Sequence, residues 1–311
     1  MPFGVGGNSR IRTNIAAQNA YNSLETSNRE ISIRQLRLST GKRINNPADD
    51  VAGYITTRAL QARNGSLKAA IKAVGDAQNT SYIIMDSMEN ISDLLRTIRD
   101  STAQATSGAQ GTAEKVALAK AAYRMVNQIQ TVVDSTVFGG RQLIDGTYTA
   151  NFLVGTNAVY DLITLQIDMS TGNVDFNVQS GDFNVNSMNV ENFAGITGLD
   201  MRKFNDVSAD DLGIFEQDQI GTTLVSLANA IENVTKVNSY MGGVVNRLNS
   251  QEFIINGQIV NYNAAISRIE DADVALEQLN LIKSQFLQQS SLVSLAQANQ
   301  NPSQFLQLLQ G

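Results

Sequence analysis

The sequence predicts a mainly α-helical protein of long helices, with a small insert that carries a β-hairpin. Three observations support this. Apolar residues recur at alternating three- and four-residue spacing over long stretches, each end of the chain repeats an apolar residue every seventh position, and the period falls to two only around residues 148–190. Composition agrees. Among 311 residues there is no Trp, His or Cys and only three Pro, and aromatics make up 6%. Leu, Ile, Val and Ala must therefore build the core, which suits thin helix seams better than a bulky interior.

At the N-terminal end Ala17, Leu24, Ile31 and Leu38 predict a helix with one apolar edge. The stretch LSTGKRINNPADDVAGY from Leu38 interrupts it with a glycine, two cations, an Asn-Asn-Pro turn and an Asp pair. Pro47 followed by Asp49-Asp50 is expected to open the next helix, since proline suits a first turn and negative charge complements the macrodipole. From Leu67 the seam runs through Ala70, Val74, Ala77, Ser81, Ile84, Met88, Ile91, Leu95, Ile98, Thr102 and Ala105, about five heptads. After the turn at residues 108–111 a second seam follows through Val116, Ala119, Tyr123, Val126, Val133 and Val137, so the two read as a helical hairpin.

Residues 163–167 alternate apolar and polar, as do Val174, Phe176 and Val178 after the turn at 170–173, which predicts a β-hairpin. Asn and Gly enrichment extends the insert to about Asp211. The longest seam then runs from Ile220 through Leu224, Leu227, Ile231, Val234, Asn238, Met241, Val245, Leu248, Glu252, Ile255, Ile259, Tyr262 and Ile266 to Ile269. Asn238 and Glu252 read as devices that fix register, and Gly242-Gly243 and Asn256-Gly257 are expected to bend or break the helix. At the C-terminal end Ala272, Leu279, Phe286 and Val293 repeat every seven residues. Leu281, Leu287, Leu295 and Leu306 lie off that seam and would stay wet with a single partner.

Chemistry is scarce. Without His or Cys there is no Ser-His-Asp or Cys-His arrangement and no thiolate or imidazole zinc site. Gly41-Lys42 lacks the GxxxxGK[ST] spacing and the preceding strand of a phosphate loop. The carboxylate clusters at Asp49-Asp50, Asp210-Asp211 and Glu270-Asp271-Asp273 lack the EF-hand pattern, so neither a metal, a cofactor nor an enzyme is expected. A net charge of -6 argues against a general grip on nucleic acid or anionic lipid. No stretch reaches the roughly 18 consecutive apolar residues of a membrane span. The glycine-bearing N-terminus lacks a secretory h-region, so export is expected by another route.

Two motif sets at opposite ends of the chain resemble the terminal regions of bacterial flagellins. These are IRTNIAAQNAYNSL from Ile11 with LSTGKRINNPADDVAGY from Leu38, and SRIEDADVALEQLNLIKSQFLQQSSLVSLAQANQNPSQFLQLLQ from Ser267; FGGRQLIDG from Phe138 fits as well. The resemblance implies a terminal coiled coil forming an inner tube (residues 1–44 plus 268–311), a helical rod (45–149 plus 214–267) and a β-rich variable insert (150–213). It assigns self-assembly contacts to Ile15, Leu24, Ile31, Leu38, Leu279, Phe286, Val293 and Leu306. It makes Gly41, Arg43, Asn46, Pro47, Asp49 and Asp50 a hinge between tube and rod. It further implies an extracellular filament subunit for swimming motility. Such a subunit is exported unfolded by the flagellar type III apparatus and has as partners itself, an export chaperone at the C-terminal segment, and the filament cap and hook-associated proteins. A hook–filament junction protein shares such termini and is the alternative. Thr97, Ser101 and Ala121 stand where many flagellins carry an arginine, a leucine and a glutamate that engage an innate Toll-like receptor, so that contact is expected to be lost.

The segment from residue 284 to 311 carries no charge, while Gln, Ser and Asn recur between apolar residues. One isolated helix of this kind cannot bury all its faces, so the ends are expected to order only on joining neighbours.

Overall fold

A computed structural model of the chain describes residues 13–156, 162–170 and 202–310, with the side chains at 156, 162 and 301–310 outside the description. The elements are α1 (Ile15–Thr40), α2 (Val51–Ala105), α3 (Thr112–Ser135), β1 (Val137–Phe138), β2 (Arg141–Gln142), β3 (Thr149–Thr156), β4 (Leu162–Asp168), α4 (Lys203–Asp206), a 3-10 turn (Gly213–Phe215), α5 (Ile220–Glu270) and α6 (Val274–Gln310). The chain divides into two compact units, Met1–Asn64 with Val260–Gly311, and Gly65–Ile259.

In the Gly65–Ile259 unit the core follows the α2 heptads. All twelve seam positions from Leu67 to Ala105 are buried. The two hydroxyls among them bond back into their own helix, Ser81 Oγ to the Ala77 carbonyl and Thr102 Oγ1 to that of Ile98, each at 2.8 Å. A polar atom thus enters the apolar seam without being orphaned. Gln78 Nε2 of α2 donates to Asn249 Oδ1 at 2.9 Å and Glu252 Oε2 at 3.0 Å of α5, which gives Glu252 a cross-helix partner.

The seams of α3 and α5 differ from expectation in a regular way. On α3 the buried stripe is Ala119, Ala122, Val126, Ile129 and Val133, while Tyr123 and Val116 are half-buried. Val137 falls past the helix in β1 and is exposed. On α5 Thr223, Ala230, Val237 and Val244 are buried, whereas Leu224, Ile231 and Asn238 are only half-buried. A heptad fixes every seventh position; whether the intermediate layer falls three or four residues on depends on where neighbouring helices lie. The glycines do not break α5, which runs unbroken through 242–243 and 256–257. Met241, Val244, Val245 and Leu248 are buried around the first pair, and such burial offsets a cost of about 1 kcal/mol per interior glycine.

β1 and β2 form a tight hairpin, with Gly139 (φ 58) and Gly140 (φ 80) in the left-handed conformation its two-residue turn demands. β4 occupies the expected strand at 163–167, but it pairs antiparallel with the preceding β3, from Thr149↔Asp168 to Thr156↔Leu162. The expected partner at 174–178 lies outside the described residues. Gln251 Nε2 of α5 donates to the Val154 carbonyl at 2.7 Å and anchors β3. Phe204 and Phe215, both buried and stacked edge to face at 5.6 Å, fasten α4 and the 3-10 turn.

Candidate functional site

The two motif-bearing ends of the sequence meet in the other unit. Gly41 ends α1 in the left-handed conformation (φ 71), the usual helix stop that glycine alone adopts without cost. Its carbonyl accepts the Ala272 N–H at 2.9 Å, and Arg43 N–H donates to the Glu270 carbonyl at 2.6 Å, so residues 41–43 and 270–272 form a short antiparallel bridge. Side chains reinforce it. Lys42 Nζ reaches Glu270 Oε1 at 2.6 Å, Gln61 Nε2 donates to Glu270 Oε2 at 2.7 Å, and the Arg43 guanidinium donates to the Ile269 carbonyl at 2.9 Å. Glu270 is buried, and with a cation and an amide on its two oxygens the charge is compensated.

The Asn-Asn-Pro-Ala-Asp-Asp stretch folds around its carboxylates. Asp49 Oδ2 accepts the N–H groups of Asn45 (3.0 Å) and Asn46 (2.9 Å), closing a turn over residues 46–49. The hydrogen bond from the Asn46 backbone holds the Asp49 pKa below the usual carboxylate range, against some desolvation and with help from Asn45 and the charge of Arg37. Asp50 caps α2, accepting the Gly53 N–H on Oδ1 at 2.9 Å. The cap therefore falls at Asp50, and Pro47 lies in the turn ahead of the helix instead of in its first turn. Pro47 biases its predecessor Asn46 to extended backbone, which delays the helix. Gly53 has no room for a side chain, since a Cβ there would lie 2.6 Å from Asp50 Oδ2 and 2.7 Å from Ile44 Cδ1, a buried residue. Nothing in sequence periodicity marked that close approach. The late carboxylates have structural partners too. Ser267 Oγ donates to Asp271 Oδ2 at 2.6 Å, and Asp273 Oδ1 caps α6 through Ala275 (3.0 Å) and Leu276 (3.1 Å).

Beyond the bridge, α1 and α6 run antiparallel. Asn14 Nδ2 donates to the Ala298 carbonyl at 2.7 Å, Gln288 Nε2 to Asn28 Oδ1 at 2.6 Å, and Arg34 to Glu277 Oε2 at 2.9 Å, with Arg37 on Glu277 Oε1 at 3.3 Å. Glu277 is 5% exposed. Ala17, Leu24, Ile31 and Leu38 lie on the covered or half-covered edge of α1, as expected, whereas Ile15 is exposed. On α6 the expected seam is the wrong one. Among the described side chains Glu277, Leu281, Ser284, Gln288, Ser291, Leu295 and Ala298 are buried or half-buried at strict four-three spacing, with Asn280 the half-buried residue off that row. Leu281 and Leu295, expected to stay wet, belong to that set. Leu279 (61% exposed), Phe286 (67%) and Val293 (66%) turn away, with Leu276 and Ile282 also exposed. At about 100° per residue this apolar stripe lies roughly opposite the α1-facing edge. Two seams fit the α6 sequence, and the more polar one, which carries the ion-paired Glu277, faces α1. The Leu306 side chain lies outside the described residues.

Thr97 and Ser101 sit one turn apart on α2, with their hydroxyls bonded to the carbonyls of Asp93 and Thr97 at 2.9 Å, and Ala121 is exposed on α3. Among the described residues no helix is long and apolar enough to cross a membrane, and no group of three or more His, Cys, Asp or Glu is placed to hold a metal.

Comparison with known proteins places this arrangement. The bacterial flagellin N-terminal helical region matches residues 11–149, and the bacterial flagellin C-terminal helical region matches residues 224–309. Flagellin of Bacillus subtilis (strain 168) is 29% identical over 317 residues, spanning 96% of this chain and 99% of that one. The flagellar filament 33 kDa core protein of Treponema phagedenis is 24% identical over the same shares of the two chains. Among solved structures, one of a flagellar hook-associated protein from Vibrio parahaemolyticus has a TM-score of 0.56 at 14% identity, covering 72% of this chain and 100% of that one, a likeness of fold alone. The residues that meet at the bridge, Gly41 to Arg43 and Glu270 to Ala272, lie within the two matched regions, or between helices they define, and the chain belongs to the bacterial flagellin family.

Proposed function

We propose that this chain is a structural, non-catalytic subunit of an extracellular flagellar filament, and that it assembles through α1 and the outer face of α6. The observation that carries the reading is the uncovered stripe of Leu279, Ile282, Phe286 and Val293 on a helix whose opposite edge already faces α1. Exposed apolar surface of this regularity marks a contact site. A heterologous contact repeated from copy to copy grows an open helical polymer. In a free subunit the α1·α6 pair, with its seam of Ser, Gln and Ala, is expected to be weakly ordered and to gain order on assembly. Residues 41–50 then act as the joint between the tube-forming helices and the rod. Export in an unfolded state by the flagellar type III apparatus, with a chaperone on the C-terminal segment and cap and hook-associated partners, completes the reading.

Deleting residues 300–311 tests it: the shortened subunit should no longer pellet as polymer on seeding, and normal polymerisation would sink the proposal. The junction-protein alternative draws on the fold likeness to a hook-associated protein. Copy number separates the two, because open helical growth uses on the order of thousands of subunits per structure, whereas a junction uses a single ring. With Thr97, Ser101 and Ala121 in place of charged and apolar anchors, weak receptor stimulation is expected in a reporter-cell assay.

A further inference from the structure

We propose that Glu277, held by Arg34 and Arg37, sets the register in which α1 and α6 pair. The contacts Arg34–Glu277 and Asn14–Ala298 fix the antiparallel alignment. This alignment brings Ile31 opposite Leu281, Ser27 opposite Ser284, Leu24 opposite Gln288 and Ala17 opposite Leu295. Apolar packing gives little reason to prefer it. A slip of one heptad would set Leu38 opposite Leu281, Leu24 opposite Leu295 and Ser27 opposite Ser291, exchanging the native Leu38–Val274, Ile31–Leu281 and Ala17–Leu295 for two larger apolar pairs while keeping small residues in contact. A seven-residue repeat built largely of Ala, Ser and Leu is nearly degenerate under such a slip.

The ionic cluster breaks the degeneracy. After the slip Arg34 would face Ser284, and Glu277, now only 5% exposed, would face Gly41 and Lys42 past the end of α1, exchanging two guanidinium groups for an ammonium already held by Glu270. A carboxylate left buried without its cations is among the costliest defects a helix pair can carry. Glu30 completes the cluster by accepting from Arg34 at 2.9 Å, so that in the native register two cations meet two carboxylates. The backbone bridge at Lys42 and Asp271 also opposes a slip; the ionic cluster adds discrimination that the apolar pattern lacks. Glu277, Arg34 and Arg37 are thus positioning residues for the terminal coil, and this inference deepens the assembly reading by naming what aligns the assembling helices.

The chain has no cysteine, so paired thiols report register directly. Ser27→Cys with Ser284→Cys reads the native alignment, and Ser27→Cys with Ser291→Cys the slipped one, each treated with a short bifunctional thiol reagent. The ratio is taken in whichever state, free or polymeric, gives the native link in the unmutated background. Sedimentation of the unmutated chain reads the assembly proposal separately. Glu277→Gln should shift the native-to-slipped ratio by about tenfold or more. The triple change R34L/R37L/E277L should do the same while keeping or raising thermal stability, since leucines in place of a buried ionic cluster remove discrimination without removing packing. A native-to-slipped ratio that does not change in either variant would overturn the proposal.

Discussion

Replacing Phe286 with alanine isolates what the outer face of α6 contributes to assembly. The ring is 67% exposed in the single chain, so on a side chain of about 200 Å² some 130 Å² is available to be covered by a neighbour. At about 25 cal/mol/Å² full coverage stabilises the contact by about 3 kcal/mol, and alanine would retain about a third of that, leaving a loss of about 2 kcal/mol. At 1.4 kcal/mol per factor of ten, the critical concentration for seeded elongation should rise about thirtyfold. Sedimentation across a concentration series measures it, and the thermal transition of the free subunit should not move, because the ring touches little there. An unchanged critical concentration with an unchanged transition would falsify the assignment of this stripe to the subunit contact.

Three further outcomes follow from the geometry. Gly53→Ala forces a Cβ into Asp50 and Ile44; losing the cap or displacing Ile44 costs about 1–3 kcal/mol against a helix-propensity gain of about 1. Faster amide exchange over residues 41–53 should result, and unchanged protection would count against the close approach. Gly243→Ala, at an exposed helical site with nothing within 4 Å of the new methyl, should stabilise the chain by about 0.5–1 kcal/mol in denaturant titration. Asp49, whose folded pKa is depressed, contributes stability that is present above the ordinary Asp value of about 3.9 and is lost as pH falls through the lower folded value. Proteolysis in the 41–50 segment by an acid protease should therefore rise across that acidic window, and Asp49→Asn should abolish the pH dependence.

The linear pattern by itself determined which stretches are helical and which side of α2 is buried. Twelve residues at three-four spacing admit one continuous apolar edge, and a helix 55 residues long has no other way to hide it. It likewise marked the breaker at Gly41 and the Asp pair near the start of α2, because backbone stops and caps are local chemistry. Tertiary structure decided what depends on partners far away in sequence. The α6 stripe that faces α1 carries Glu277, which Arg34 and Arg37 reach across some 240 positions, a pairing no local periodicity contains. β4 pairs with the strand before it, and α5 stays helical through Gly242-Gly243, where Met241, Val244, Val245 and Leu248 are buried. Short-range spacing sets what each segment can hide; which neighbour does the hiding depends on where electrostatic and steric matches exist in three dimensions.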